Sequence, residues 1–286
     1  MESKTLKMIL PKGRIQEKVA ALMARVGLSV RLNERSYRPS CTDDGFEVKM
    51  LKPQNVPQLV ALGRHDCGFA GHDWVVEKDA DVVELMDLGF DPVRIVAAMP
   101  DELAASQDRF SRRLVVASEY RRLATDFIAA KKLDAVFVQT YGATEALPPE
   151  DADIIVDNVA TGATLKSNRL TIVGEIMRST TRFIANREAM ADPWKRRRLG
   201  ELVMLMKSAL NADERVLLEM NVPAEELDRV VSGLPCMRSP TVSPLHKAQG
   251  YAVKVAVPAR EVPALIPMLR ERGATDILEY KVEKIL

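Results

Sequence analysis

The stretch "DIIVDNVATGATLKSNRL", residues 153–170, sets the fold. Ile154, Ile155 and Val156 are β-branched and apolar, so the run reads as a buried strand. It stops at a carboxylate, Asp157, and opens into Thr161, Gly162, Ala163 and Thr164. Loops of small, hydroxyl-bearing residues after buried strands belong to open α/β sheets, which take ligands at the carboxyl ends of their strands.

The flanking sequence repeats the pattern. "LKMIL" (6–10), "FEVKML" (46–51) and "RIVAAM" (94–99) read as strands, and so do "RLVVAS" (113–118) and "AVFVQT" (135–140). "CGFAGHD" (67–73) reads as a strand opening into a turn. Helical spacing runs through 15–26, 53–63 and 120–132. A long helix is expected over 193–211, with Asp192 as its cap and Pro193 in its first turn. Strands alternating with helices predict parallel, doubly wound sheets, and two such blocks predict two lobes around a cleft. The turns at 11–14, 71–73, 141–145 and 157–164 all follow strands and would face it. From 212 onward the order changes to βαββαβ, the ferredoxin-like pattern, with a short strand near 241–243.

Composition narrows the class. The 286 residues are 47% apolar and 28% charged, with a formal net charge of +1. That balance gives no global field for nucleic acid or membrane. The basic run at 195–198 reads as a solvated helix face. No apolar run reaches the ~18–20 residues of a membrane span, and the N-terminal segment lacks a secretory apolar core. Cys41, Cys67 and Cys236 are odd in number and widely spaced. They read as reduced thiols of a cytoplasmic protein. His65, His72 and His246 have no metal-ligand spacing.

The loop after Asp157 suits a sugar phosphate. Glycine admits close backbone approach, successive N–H groups form an anion-binding concavity, and Thr161 and Thr164 add hydroxyls. A carboxylate beside it accepts from two vicinal ribose hydroxyls. The other reading is a strand-end turn with Asp157 as a local cap, and loop chemistry alone leaves both open. Neither the P-loop pattern nor the dinucleotide fingerprint is present.

Seven segments lie in order along the chain: "LPKGR" (10–14), "LKPQNVP" (51–57), "GFAGHD" (68–73), "ELMDLGF" (84–90), "YGATEALP" (141–148), "DNVATGATLKSNRL" (157–170) and "RFIANRE" (182–188). Together the sequence resembles ATP phosphoribosyltransferases, the enzymes that commit ATP and phosphoribosyl pyrophosphate to histidine synthesis. "SPTVSPL" (239–245) in the tail resembles the regulatory domain of the long form. The resemblance implies two lobes like a type II periplasmic binding protein, built from 1–98 with 180–211 and from 99–179, followed by a regulatory domain at 212–286. It implies displacement of pyrophosphate from the anomeric carbon by N1 of adenine, which carries a free lone pair and needs no strong base.

Roles follow by resemblance. Asp157, Thr161, Gly162, Ala163 and Thr164 would hold phosphoribosyl pyrophosphate. Glu145, in a Gly-x-x-Glu turn, would lie near the ribose and a Mg²⁺ ion. Lys12 and Arg14 would meet substrate phosphates. Lys12, Lys52 and Asp73 would contact ATP, with Asp73 accepting from the adenine amino group. Asn221, Ser239 and Thr241 would bind histidine as a feedback inhibitor, in a dimer or hexamer. Lys52, Asn55 and His72 depart from the residues usual there, Arg, Asp and Lys or Arg. They motivate one rival, a paralogue with an altered acceptor. The other rival is a non-enzymatic two-lobed solute binder.

Overall fold

The computed structural model describes residues 4–31, 37–235, 239–247 and 249–286. Cys236 lies outside the described residues. Two compact units are distinguished: Met1–Ala21 with Leu28–Arg197, and Leu22–Gly27 with Arg198–Leu286.

The first unit contains two five-stranded sheets. In chain order it has β1 (Leu6–Pro11), α1 (Gln16–Arg25, which runs on into the second unit), β2 (Phe46–Leu51), α2 (Val56–Ala61), β3 (Cys67–Gly71), α3 (His72–Glu77) and β4 (Val83–Asp87). Then come β5 (Val93–Pro100), α4 (Asp101–Ala105), β6 (Leu114–Ser118), α5 (Arg121–Ala130), β7 (Ala135–Gln139), β8 (Ile154–Val159) and α6 (Ala163–Ser167). The chain returns through β9 (Leu170–Ser179), β10 (Thr181–Ala185), α7 (Arg187–Ala191) and the start of α8 (Pro193–Asp213). The sheet orders are β2-β1-β3-β10-β4 and β7-β6-β8-β5-β9.

These are the two lobes of a type II periplasmic-binding-protein fold, but neither sheet is wholly parallel. β10 runs antiparallel to β3 and β4, and β5 runs antiparallel to β8 and β9. Each is the strand that crosses from the opposite lobe. The expected boundary at 98 therefore moves to before Val93, because the whole of β5 is paired into the second sheet. The inner strands carry buried apolar runs: Met8 and Ile9 of β1 and Ile154, Ile155 and Val156 of β8 are fully buried. Edge strand β2 alternates instead, with Phe46, Val48 and Met50 inside. A Cβ on Gly68 would lie 2.8 Å from Val56 Cγ1, so this glycine lets α2 pack onto β3.

Two expected loops are short helices. Where a turn is expected at 71–73, residues 72–77 form α3, and the loop after Gly162 winds at once into α6. Asp192 caps α8 as expected: its carboxylate accepts from the Lys195 N–H at 2.9 Å.

The second unit adds β11 (Arg215–Val222), α9 (Leu227–Val231), β12 (Thr241–Pro244), β13 (Tyr251–Pro258), α10 (Val262–Glu271) and β14 (Thr275–Lys281). Its antiparallel sheet has the order β12-β13-β11-β14, which is ferredoxin-like. Val216, Leu218, Met220 and Val222 alternate inward and pack with Val230, Leu265 and Leu269. Each such buried side chain is worth about 1.5–3 kcal/mol against exposure. Besides the 212–286 read from the sequence, the compact unit takes in residues 198–211 of α8 and 22–27 of α1. The reason is visible in its bonds. Arg25 donates to Asp213 at 2.7 Å and to the Ala209 carbonyl at 2.7 Å, and the Ile285 N–H donates to the Ser208 carbonyl at 2.9 Å.

Candidate functional site

Three cavities line the ends of the first unit's strands. The first is walled by Arg14 after β1, Asp73 after β3, Tyr120 after β6, Asn158 on β8 and Ser179 at the crossover. The second is lined by Glu145, Asp157, Thr161, Gly162 and Thr164. The third is lined by Lys52, Asn55, Lys78, Glu119 and Arg121. Arg14 and Asn158 border both the first and the second, and Trp74 borders both the first and the third. The three are subsites of one cleft.

The first cavity is built around a buried carboxylate. Asp73 is 5% exposed. Its Oδ1 accepts from the Ser179 hydroxyl at 2.6 Å, and its Oδ2 accepts from the Tyr120 hydroxyl at 2.7 Å. The Ser179 oxygen in turn accepts from the Asp73 N–H at 3.0 Å. A Cβ on Gly71 would fall 2.2 Å from Asp73 Oδ1, so only glycine leaves room for this carboxylate. Tyr120 stacks on Trp74 with ring centroids 4.5 Å apart. Burial, and then the Asp73 charge, raise the Tyr120 phenol far above its ordinary range, so it remains a donor. A carboxylate offers about four acceptor positions, so Asp73 can still take a further donor.

The second cavity matches the loop reading. Gly162, at φ +84°, makes the turn between β8 and α6. Ala163 opens α6, where the first N–H groups of a helix have no internal partner. Asp157 is pushed up to about 6, chiefly by burial. The Asn158 N–H, donating at 2.7 Å, opposes the rise, and the charges of Glu145 and Glu119 add to it. Glu145, held in the 3-10 turn Thr144–Ala146, therefore faces Asp157 across this cavity. The structure brings together Arg14, Glu145, Asp157, Thr161, Gly162 and Thr164.

Within that group, Arg14 is held by Asp91 of the β4–β5 crossover. Other expected residues lie apart from it. Lys12 lines none of the three cavities, and its ammonium sits 3.7 Å over the Tyr37 ring. Lys52 lines the third cavity, not the one that holds Asp73. Tyr120, Asn158, Ser179 and Arg121 were not singled out from sequence. Among the described residues, no group of three or more His, Cys, Asp or Glu is gathered to hold a metal ion.

Family models match two parts of the chain, "ATP phosphoribosyltransferase" over residues 52–208 and "HisG, C-terminal domain" over 212–284. The chain belongs to the ATP phosphoribosyltransferase family. Among its relatives, the ATP phosphoribosyltransferase of Thermodesulfovibrio yellowstonii is 37% identical, with 100% of each chain covered. That of Desulforudis audaxviator is 38% identical, covering 98% of this chain and 99% of the relative. Among solved structures, the ATP phosphoribosyl transferase (HisG:HisZ) complex from Thermotoga maritima matches with TM-score 0.63 and 25% identity. It covers 71% of this chain and 99% of that one.

Membership in the family gives the departures a context. His72, set where the resemblance expects a fixed cation, instead bonds Glu84 through Nδ1 at 2.7 Å. Lys52 and Asn55 flank the third cavity beside Lys78 and Arg121, which supply further positive charge. In the tail, Asn221 donates to Asp276 at 2.9 Å. Thr241 is level with Lys254, and Lys254 with Glu219, so Thr241 and Asn221 share the open face of the sheet with β13 between them. Ser239 is exposed just before β12.

Proposed function

We propose that the cleft carries out N1-phosphoribosylation of ATP, the opening step of histidine biosynthesis, with the roles divided among its subsites. The reaction joins ATP and phosphoribosyl pyrophosphate and releases pyrophosphate. Asp157 accepts from the ribose hydroxyls while the 161–164 loop takes the 5-phosphate. Arg14, on the border of two subsites, meets the departing pyrophosphate. Asp73 accepts from the adenine amino group, and Lys52, with Lys78 and Arg121 beside it, faces the triphosphate. Lys12 would reach a phosphate only after leaving Tyr37. No side chain is required as a strong base, and the catalytic work is alignment and charge stabilisation. Alignment of two bound reactants is worth up to about 7–11 kcal/mol.

The observation that carries this reading is the cavity joining Asp157 to the Thr161–Gly162–Thr164 turn, in a chain matched end to end by the family. Glu145 and Asp157, two carboxylates facing one cavity, suit a divalent cation arriving with the substrate. Mg²⁺ bound there would neutralise pyrophosphate charge. The reading includes feedback by histidine at Asn221, Ser239 and Thr241, assembly as a dimer or hexamer, and a cytoplasmic setting, where both substrates are made.

A coupled assay for pyrophosphate with ATP, phosphoribosyl pyrophosphate and Mg²⁺ tests it. Release is expected only when both substrates are present. Release with another purine nucleotide in place of ATP would favour an altered acceptor. Ligand binding with no release in any combination would favour a solute binder.

A further inference from the structure

A continuous line of hydrogen bonds runs from the phosphoribosyl loop to the adenine subsite. Asn158 Nδ2 donates to Asp157 Oδ1 at 3.3 Å and to the Tyr120 hydroxyl oxygen at 3.3 Å. The Tyr120 hydroxyl donates to Asp73 Oδ2, and Asp73 Oδ1 is closed off by Ser179. An amide nitrogen has two hydrogens, one for each neighbour, so Asn158 alone spans the gap.

We infer that Asn158 couples the two substrate subsites: a ligand held by Asp157 fixes, through Asn158 and Tyr120, the Asp73 carboxylate that receives adenine, so each substrate tightens the binding of the other. The inference rests on the reading of the subsites proposed above.

Three observations support it. First, Asn158 borders both cavities, and among the described residues only Arg14 does so as well. Second, the far end of the line is rigid. Tyr120 is 1% exposed and stacked on Trp74, and Asp73 is buried and bonded on both oxygens. Asn158 is the exposed member, the one a ligand can reach and order. Third, the direction of donation is fixed. The phenol keeps its proton and gives it to Asp73, which leaves the phenol oxygen to accept from Asn158. Bonds aligned in this way reinforce one another. The first ligand pays for ordering Asn158, and the second binds to a line already set. Asn158 is thus a positioning residue that acts through Tyr120.

The test uses an unreactive pair, ATP and ribose 5-phosphate, which has no pyrophosphate to lose. ATP affinity is measured by titration calorimetry on the intact chain, with and without saturating ribose 5-phosphate. The expected ratio of the two affinities is about fivefold or more. Asn158→Ala should bring it to about one while each ligand still binds alone. Tyr120→Phe, which keeps the ring on Trp74 and removes the next link, should do the same. Independent binding of the two ligands to the intact chain, or an unchanged ratio in Asn158→Ala, overturns the coupling and leaves the proposed activity standing. If the intact chain binds neither ligand, the subsite reading falls, and the coupling with it.

Discussion

Asp157 shows what one residue of this cleft costs and supplies. Its carboxyl is raised from 3.8 to about 6, so the fold favours its neutral form. The sign follows. Well below pH 3.8 the group is protonated in folded and unfolded chains alike, and burial costs nothing. Above about pH 6 the fold must hold a buried charge that the unfolded chain hydrates freely. Two pH units correspond to an upper bound of about 3 kcal/mol, and partial exposure brings this nearer 2. Asp157→Asn should therefore unfold at higher denaturant than the parent at pH 8, by about 2 kcal/mol, and lose most of that advantage at pH 4. The same change should lower kcat/KM for phosphoribosyl pyrophosphate by about a hundredfold or more, since two hydrogen bonds to a charged acceptor are weakened. In the parent, kcat/KM should fall as pH drops through about 6. An Asp157→Asn chain that is no more stable at pH 8, or keeps its activity, would show that the carboxylate is not held charged for the ribose. This half of the site was legible because Asp157 and residues 161–164 lie in one segment. Asp73 was legible by resemblance, but its partners Tyr120 and Ser179 were not, being 47 and 106 positions away.

Among the elements, α3 joins the lobes. Glu77, at its end, is buried and accepts from the Arg122 and Leu123 N–H groups of α5, each at 3.1 Å. A carboxylate there satisfies two orphan donors and meets the positive end of the helix dipole. Trp74 of the same helix sits in the second lobe's core with Tyr120 and Phe127. Glu77→Ala should cost about 2 kcal/mol in urea unfolding, the loss of a buried cap. Glu77→Gln, which keeps one acceptor oxygen, should cost less. Equal, negligible losses for the two would mean that α5 needs no cap from α3. Neither α3 nor α6 was expected as a helix, for a common reason. Helices of six and five residues are too short to display a 3.6-residue stripe, and Val75 and Val76 suggest a strand locally. β5 reads as a strand, but a mostly apolar run does not reveal which sheet it joins, and its partners β8 and β9 lie in the second lobe.

The molecule as a whole carries its regulatory reading in a unit larger than the sequence pattern marked. A cut at 212 would strand Arg25 without Asp213 and the Ser208 carbonyl without the Ile285 N–H that donates to it. Truncation would confound loss of histidine sensitivity with loss of folding. Point changes on the open sheet face avoid this. Thr241 is exposed on edge strand β12, and its hydroxyl has no structural bond to lose among the described residues. Asn221 holds Asp276, one exposed hydrogen bond worth about 1 kcal/mol. Thr241→Val and Asn221→Ala should each leave pyrophosphate release without histidine within about twofold of the parent. Each should raise the histidine concentration for half-inhibition by tenfold or more, the loss of about 1.4 kcal/mol of binding. Inhibition must also act between states, and linkage gives a second readout: in the parent and in each variant, the factor by which histidine weakens substrate binding equals the factor by which substrate weakens histidine binding. Half-inhibition unchanged in both variants would move the histidine site off this face of the sheet and leave the βαββαβ unit without its proposed ligand.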